Sequence, residues 1–414
     1  MTNSPTDKLT FAAVGQSLIG HDIRNDESAE FQAIADILRG SDVAFSNFEG
    51  TIEGRHGGWP TKDAFVHVGK PVVLDALRDM GITALSLANN HAFDLGSAGI
   101  LSTIEEAKAR GFLIAGTGKD RAHAANPGIA DTPKGKVALV AMDCSNLPDS
   151  VYALDTGAHR PARPGVNRQR VISSLRVDNE TFGRLVELSA KAGNEARKEG
   201  RVKVGYQEAD RRGVLDFYGA RIERADRLAE GRSLYPEDRE KNLAAIRAGA
   251  AQGAFTIAYV HHHYWEPEWE TTPDWIQEFA RDCIDAGADA FVSHGVPLLQ
   301  GIEIHNRRPI FYSLGNFIFH THRAPKYTDD RIWQSVVAVC SFDAHRCLTD
   351  LRLVPIAMGG EQAMADRTFG IPRDAPRRVG TAYGTDILER VKRLSAHFGT
   401  DIALVNGEGR LRLG

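Results

Sequence analysis

Apolar positions in the first 145 residues fall into short runs separated by amphipathic segments. Leu9–Val14, Val43–Ser46, Thr83–Ala88, Phe112–Ala115 and Val137–Met142 are apolar runs of strand length. Between them, Phe31, Ile34, Ile37 and Leu38 recur at helical spacing within Glu30–Leu38. Val72–Met80 and Ala98–Arg110 are also helical, and stop at Gly81 and Gly111, residues that favour a helix C-terminus. This alternation predicts parallel strands joined by helical crossovers, an α/β fold. Ligands of such sheets sit beyond the carboxyl ends of the strands. Polar residues arrive at those places: Gln16 after the first run, Asn47 and Glu49 after the second, Asn90 and His91 after the third.

Between 145 and 252 the pattern breaks. Asn146–Arg168 is rich in Pro, Gly and Arg and reads as loop, whereas Thr181–Lys198 and Asp238–Ala251 are helical, with a polar linker around Arg201–Gly213. The stretch 145–252 is expected to be a loop and helical insertion, or lid, within a catalytic domain spanning 1–360. The core resumes at Phe255–Val260, which runs into His261, His262 and His263. A helix over Asp274–Ala286 and a strand over Ala290–Val292 lead to Ser293, His294 and Gly295. From Ile302 the runs GIEIH, PIFYSLGNFIF, SVVAVCSF and LTDLRLVPI predict antiparallel strands completing a second sheet. Residues 361–414 read as a C-terminal extension with a helix at Thr385–His397.

Composition adds exclusions. The 414 residues are 42% apolar and 25% charged, and the net charge is -4 with both signs mixed. No attraction to nucleic acid is implied. No apolar run approaches the roughly 20 residues of a membrane span, and MTNSPTDKLTFAAVG lacks the pattern of a signal peptide. The expectation is a cytoplasmic enzyme with a small-molecule substrate, no nucleic-acid or membrane partner, and self-association left open. Cys144, Cys283, Cys340 and Cys347 form no C-x-x-C pair, so neither a disulfide framework nor a zinc knuckle is indicated. Cys283 and Cys340 read as core thiols. Cys144 reads as a core thiol or, at the end of VALVAMDC, as a nucleophile without an evident base.

Several strand ends offer metal-type ligands: Glu49, Asn90, His91, His261, His263 and His294. Mixed imidazole and oxygen donors suit a divalent transition metal. Period-2 alternation turns His261 and His263 to one side and His262 to the other. Glu266 and Glu268 follow as acceptors able to orient imidazoles, Glu266 counting among the catalytic candidates. Each cluster also has a plainer reading. Three histidines suit a solvated loop, Asn89-Asn90 suits a turn, and His294-Gly295 suits a turn or helix cap.

The motifs FSNFEGTI (45–52), LSLANNHAFDLGSAGI (85–100), IDAGADAFVSHG (284–295) and GIEIHNRRPIFYSLGNFIF (301–319) resemble the CapA family of poly-gamma-glutamate capsule synthesis proteins. That family is similar to calcineurin-like metallophosphoesterases. The resemblance implies a four-layer α/β/β/α sandwich holding one or two divalent ions, Zn, Mn or Fe. It places Glu49 as a bridging carboxylate, Asn90 as an amide ligand, His91 as a substrate contact or acid, and His261, His263 and His294 as imidazole ligands. Two departures stand out. The family's first-strand Gly-Asp is Gly15-Gln16 here, and the second histidine of its G-H element falls at Pro297. Gln16 is thus a neutral stand-in ligand, and His21, Asp22, His320 or His322 could substitute. His91 held by Asp94 is the expected acid. Asn47, His21, Asp22, Arg163 and Asn167 are the substrate-binding candidates, Arg163 with Arg160 and Arg168 as an anion clamp. The function expected is metal-dependent hydrolysis of a small, anionic phosphoester or amide. The alternatives are a binding protein with a degenerate metal site and an accessory subunit of polymer synthesis.

Overall fold

A computed structural model describes residues 8–209 and 213–412. It is a mixed α/β protein with two compact units. The larger runs to Gln169 and resumes at Glu237; the smaller is Arg170–Pro236.

Two sheets organise the larger unit. The first is ten-stranded, with Leu9–Leu18 at its middle. On one side, Val43–Phe48, Ala84–Ser86 and Leu113–Ala115 follow in parallel. On the other, Gln334–Phe342 and Leu348–Met358 follow antiparallel. The second sheet has six strands, with Gly135–Asp143, Phe255–His261 and Ala290–His294 parallel at its centre.

The strand pattern explains the packing. Phe11 and Ala13 join one buried cluster, Ala12 and Val14 another, so the first strand is covered on both faces. The Phe11/Ala13 face meets the second sheet, where Phe11 packs on Phe255 at 5.7 Å and Phe45 on Tyr259 at 5.4 Å between ring centroids. Burying each such ring contributes about 1.5–3 kcal/mol. The Ala12/Val14 face packs with Ile34, Leu38, Leu74 and Leu77 of the helices Ala29–Arg39 and Val72–Asp79. The first of these is capped by Ser28, whose side chain accepts from the Phe31 amide.

The runs after Ile302 do not build one sheet. Ile302–His305 and Arg308–Phe311 form a hairpin in the second sheet, turning at Asn306 and Arg307 with φ of 49° and 60°. Asn316–Phe319, Gln334–Phe342 and Leu348–Met358 instead join the first. Alternation in sequence marks a strand without naming its sheet.

Nor is the stretch 145–252 a purely helical insertion. The smaller unit carries a four-stranded sheet, with Val171–Val177 beside Ala220–Arg224 and Ala229–Leu234. The helical run expected over Thr181–Lys198 is two helices, Asn179–Lys191 and Asn194–Lys203, broken where Gly193 takes a φ of 71°. The linker expected around Arg201–Gly213 lies partly outside the described residues. The helix Pro236–Ala251 buries Asn242, Leu243 and Ile246 as part of the larger unit. Residues 361–414 are likewise no mere extension. Pro376–Arg378 and Glu408–Leu411 pair with Leu348–Met358, and Ile402–Val405 closes that edge beside the helix Thr381–Ala396. No helix among the described residues is long and apolar enough to cross a membrane.

Candidate metal centre

Parallel strands that end level bring their last side chains together. In the second sheet, Asp143, His261 and His294 are register partners on three adjacent strands. In the first, Gln16 pairs with Asn47 and Asn47 with Ser86. Glu49 follows, its amide donating to Ser17 O at 3.0 Å. The turn after Ala84–Ser86 carries Asn89, Asn90 and His91. Asn89 is structural: its amide donates to Phe48 O at 2.7 Å, and its Oδ1 accepts from the His91 amide at 3.1 Å. That bracing presents Asn90 and His91 to the other strand ends.

Four donor groups converge. His261 Nε2 lies 2.8 Å from Asn90 Oδ1, 3.1 Å from His263 Nε2 and 3.7 Å from Glu49 Oε1. The ligand atoms of Glu49, His261 and His263 all lie within 4.8 Å of one another. His262 turns away, its ring edge-on to Trp275 at 5.2 Å. His261 Nδ1 lies 3.4 Å from the Tyr259 hydroxyl, which leaves Nε2 as the ring atom that faces Asn90, His263 and Glu49. Burial pushes the His261 imidazole well below its usual range, so it stays neutral. Burial also pushes the Glu49 carboxyl up to about 8; the Lys62 charge opposes this, and Asp143 and Asp94 reinforce it. Glu49 Oε2 is buried with no hydrogen-bond partner among the described residues. A buried carboxylate oxygen without a partner is costly unless a cation or proton meets it. The residues fit a divalent ion, and imidazole, amide and carboxylate together suit a transition metal.

A second motif stands beside this one. His91 Nδ1 meets Asp94 Oδ2 at 2.7 Å, and Asp94 Oδ1 takes the Lys62 ammonium at 2.8 Å. Lys62 also donates to Asn90 O at 2.7 Å, so it anchors the turn that carries the amide ligand. Burial pushes the Asp94 carboxyl up, but the His91 hydrogen bond and the His91 and Lys62 charges outweigh it and hold it below the usual range. Asp94 stays ionised and fixes the His91 tautomer, leaving Nε2 for chemistry.

Comparisons with known proteins identify the family. The family profile described as "Bacterial capsule synthesis protein PGA_cap" matches residues 10–321. The chain belongs to the PGA_cap family. It is 32% identical over 457 residues to "Uncharacterized protein y4sH" of Sinorhizobium fredii (strain NBRC 101917 / NGR234), covering 98% of this chain and 94% of that protein. It is 26% identical over 322 residues to "PGA biosynthesis protein CapA" of Bacillus subtilis (strain 168), covering 76% and 64%. "Capsule biosynthesis protein CapA" of Bacillus anthracis is 24% identical over 322 residues, covering 76% and 60%.

The PGA_cap match makes the two sequence departures informative. Gln16 is a satisfied amide: Nε2 donates to Asn316 Oδ1 at 2.8 Å, and Oε1 accepts from the Gly295 amide at 3.1 Å. Gly295 sits at φ 121°, where a Cβ would lie 1.9 Å from His262 O, so the close approach excludes a side chain. Pro297 lines the neighbouring cleft and offers no ligand atom on its side chain. Neutral hydrogen bonds thus occupy the place where an ionised first-strand ligand would stand.

The other candidates divide. His294 is fully buried, and both ring nitrogens lack a hydrogen-bond partner among the described residues. Burial pushes it down to about 3, so it is neutral. Its ring centroid lies 5.7 Å from that of Tyr259, and it is outside the Glu49–His261–His263 group. Asn47 is buried and accepts from Asn89 at 3.3 Å. Glu266 is half-buried and does not join the converging group. Asn167 donates to Ala141 O at 2.9 Å and to Asn242 Oδ1 at 3.0 Å, bonds that hold backbone and helix together. Arg163 donates to the carbonyls of Asp149 and Tyr152 at 2.6 and 2.9 Å, so its guanidinium is committed to its own loop. Asp22 is paired with Arg24 at 2.7 Å. His21 stacks on His320 at 3.8 Å and faces Asp374 at 3.4 Å.

Two residues of the site escaped the sequence. Asp143 is buried, its Oδ2 accepting from Ser145 N and Tyr152 Oη at 3.2 Å each while Oδ1 has no partner among the described residues. Burial pushes it up to about 7. Its signal was present, since it ends the Val137–Met142 run as Glu49 and His261 follow theirs. Its neighbour Cys144 is a buried thiol pushed well up by burial, which suits no nucleophile. Lys62 carried no such signal, because it lies on a long loop.

Proposed function

We propose that this chain is a metal-dependent hydrolase working with a single divalent ion. The observation that carries this is the convergence of Glu49, Asn90, His261 and His263 around an unpartnered carboxylate oxygen. The two sheets with helices outside them are consistent with the four-layer α/β/β/α arrangement of metallophosphoesterases. A divalent ion held by these residues, Zn, Mn or Fe by its donor set, would polarise the scissile group and lower the pKa of a water to about 7. His91, positioned through Nδ1 by ionised Asp94, gives the leaving group a proton from Nε2 of its imidazolium and returns to the neutral ring. Lys62 keeps Asp94 ionised and fixes the Asn90 turn. The bond cleaved is a phosphoester or an amide. An anion clamp is not part of the proposal, because Arg163 is committed to backbone carbonyls.

The neutral hydrogen bond between Gln16 and Gly295 supports one ion over two, because it takes the place of one ionised ligand. That same feature favours a second reading, a binding protein that has lost catalysis. Elemental analysis of purified protein should find about one ion per chain, with hydrolysis of aryl phosphates or amides lost on chelation and restored by the ion. Absence of any retained ion, or full activity after stripping, overturns the proposal.

A further inference from the structure

The donor cluster opens on a cleft of about 610 Å³, the place where a substrate would meet it. One wall is a ladder of rings leading away from the ligand His263. Trp265 lies 5.3 Å from His263 at 31°, and Trp269 lies 4.5 Å from Trp265 at 57°. Phe319 and Tyr327, 5.3 Å apart, also line the cleft. The ladder is held in place. Trp265 Nε1 donates to His262 O at 3.4 Å, and buried Gln300 donates to Trp269 O and Thr271 O at 2.9 and 3.1 Å. Trp269 is nonetheless 43% exposed, so part of it is open to solvent.

The charges of the cleft say what the rings do not hold. Apart from Glu49, which the proposed ion would neutralise, the cleft carries the carboxylates Glu268, Glu270 and Asp329 and the cations Lys326 and Arg331. Arg331 is already paired, with Asp329 at 2.7 Å and Glu270 at 3.2 Å. A polyanion such as a gamma-glutamyl chain would find Arg331 already spent on the carboxylates of the cleft. A flat base or aryl group would use the rings and leave the Asp329–Arg331–Glu270 chain without a purpose. A pyranose uses both. Its C–H face carries slight positive charge and lies against the negative face of an indole. Its rim of hydroxyls both donates and accepts, and finds rigid carboxylate and guanidinium partners.

We propose that this cleft binds a neutral sugar ring, and that the substrate of the hydrolase is a glycan or sugar derivative. The substrate claim rests on the metal-hydrolase reading above, whereas sugar binding itself does not. The test is calorimetry and tryptophan fluorescence on the whole protein, with cellotriose, chitotriose, gamma-linked triglutamate and AMP as probes, before and after chelation. Saturable binding of a trisaccharide is expected, weakened at least about tenfold by Trp269→Ala and less by Trp269→Phe. Trp269 is exposed enough that its loss leaves the fold intact, which circular dichroism verifies. The inference is overturned if neither trisaccharide binds, if Trp269→Ala changes nothing, or if AMP or triglutamate binds more tightly. Trisaccharide binding by a protein with no ion and no hydrolysis would overturn the hydrolase reading and leave the sugar site standing. Metal-dependent hydrolysis without trisaccharide binding would do the reverse.

Discussion

Among the described residues, two clusters bring histidine and carboxylate ligand atoms within 4.8 Å of one another: Glu49 with His261 and His263, and His21 with His320 and Asp374. Their composition is alike, and their electrostatics are opposite. In the first, imidazole and carboxylate atoms crowd together and a buried carboxylate oxygen has no partner among the described residues. In the second, His320 Nδ1 accepts from the Gly20 amide at 2.9 Å and Nε2 donates to Asp374 O at 3.0 Å. Both its nitrogens are spent on backbone, and it works as a clasp between Gly20 and Asp374. A metal would have to break that clasp, while in the first cluster it would relieve a deficit. Residue type nominates a site, and the uncommitted lone pair decides it.

The largest consequence concerns the first cluster. Glu49→Gln or His261→Ala should lower bound metal from about one ion per chain to almost none and reduce hydrolysis at least about a thousandfold. Elemental analysis beside kinetics measures both, and a fully metallated variant would refute the ligand assignment. Asp94→Asn should reduce hydrolysis about a hundredfold while the ion stays bound, since it alters the His91 tautomer and no ligand. Loss of the ion in that variant would show Asp94 to be part of the coordination instead.

Smaller effects belong to the second cluster. His21→Ala and His320→Gln should leave metal content unchanged, and a fall in either would promote this cluster to a metal site. The smallest effect is a pH dependence of stability. Burial pushes His320 down to about 4 from its ordinary 6.5, with the neighbouring His21 acting the same way and the Asp374 carbonyl and charge opposing. The folded state therefore binds fewer protons than the unfolded chain between those values. The stability this contributes is complete above about 6.5 and is lost as pH falls through about 4. Urea titrations across that interval should show a steeper loss in the wild type than in His320→Gln. Parallel curves would mean the clasp is not what holds the proton off.

How far the site was readable depends on how each residue is held. Asn90, His91 and Asp94 sit within one short turn, so their sequence spacing nearly equals their spatial relation. His261 and His263 were readable from strand alternation. Glu49 and Asp143 both mark strand ends, but a lone acid after an apolar run is common and by itself names no site. Lys62 reaches Asp94 across 32 positions of chain through a loop with no periodic pattern, and nothing local announces it. Arg163 and Asn167 illustrate the converse, since donors in a polar loop look available until their carbonyl partners are seen.

For the fold, apolar runs of strand length with helices between them were enough to establish an α/β chain whose strands end in polar residues. That information is local, because side-chain alternation and helix periodicity are properties of a few consecutive residues. Which sheet each later strand joins, that the C-terminal strands complete the first sheet, and that Gln16 spends its amide on Gly295 and Asn316 were decided only by tertiary packing. These depend on partners up to 300 positions away, as Gln16 and Asn316 are. Whether a donor faces a cation or a carbonyl is settled by what the rest of the molecule places opposite it.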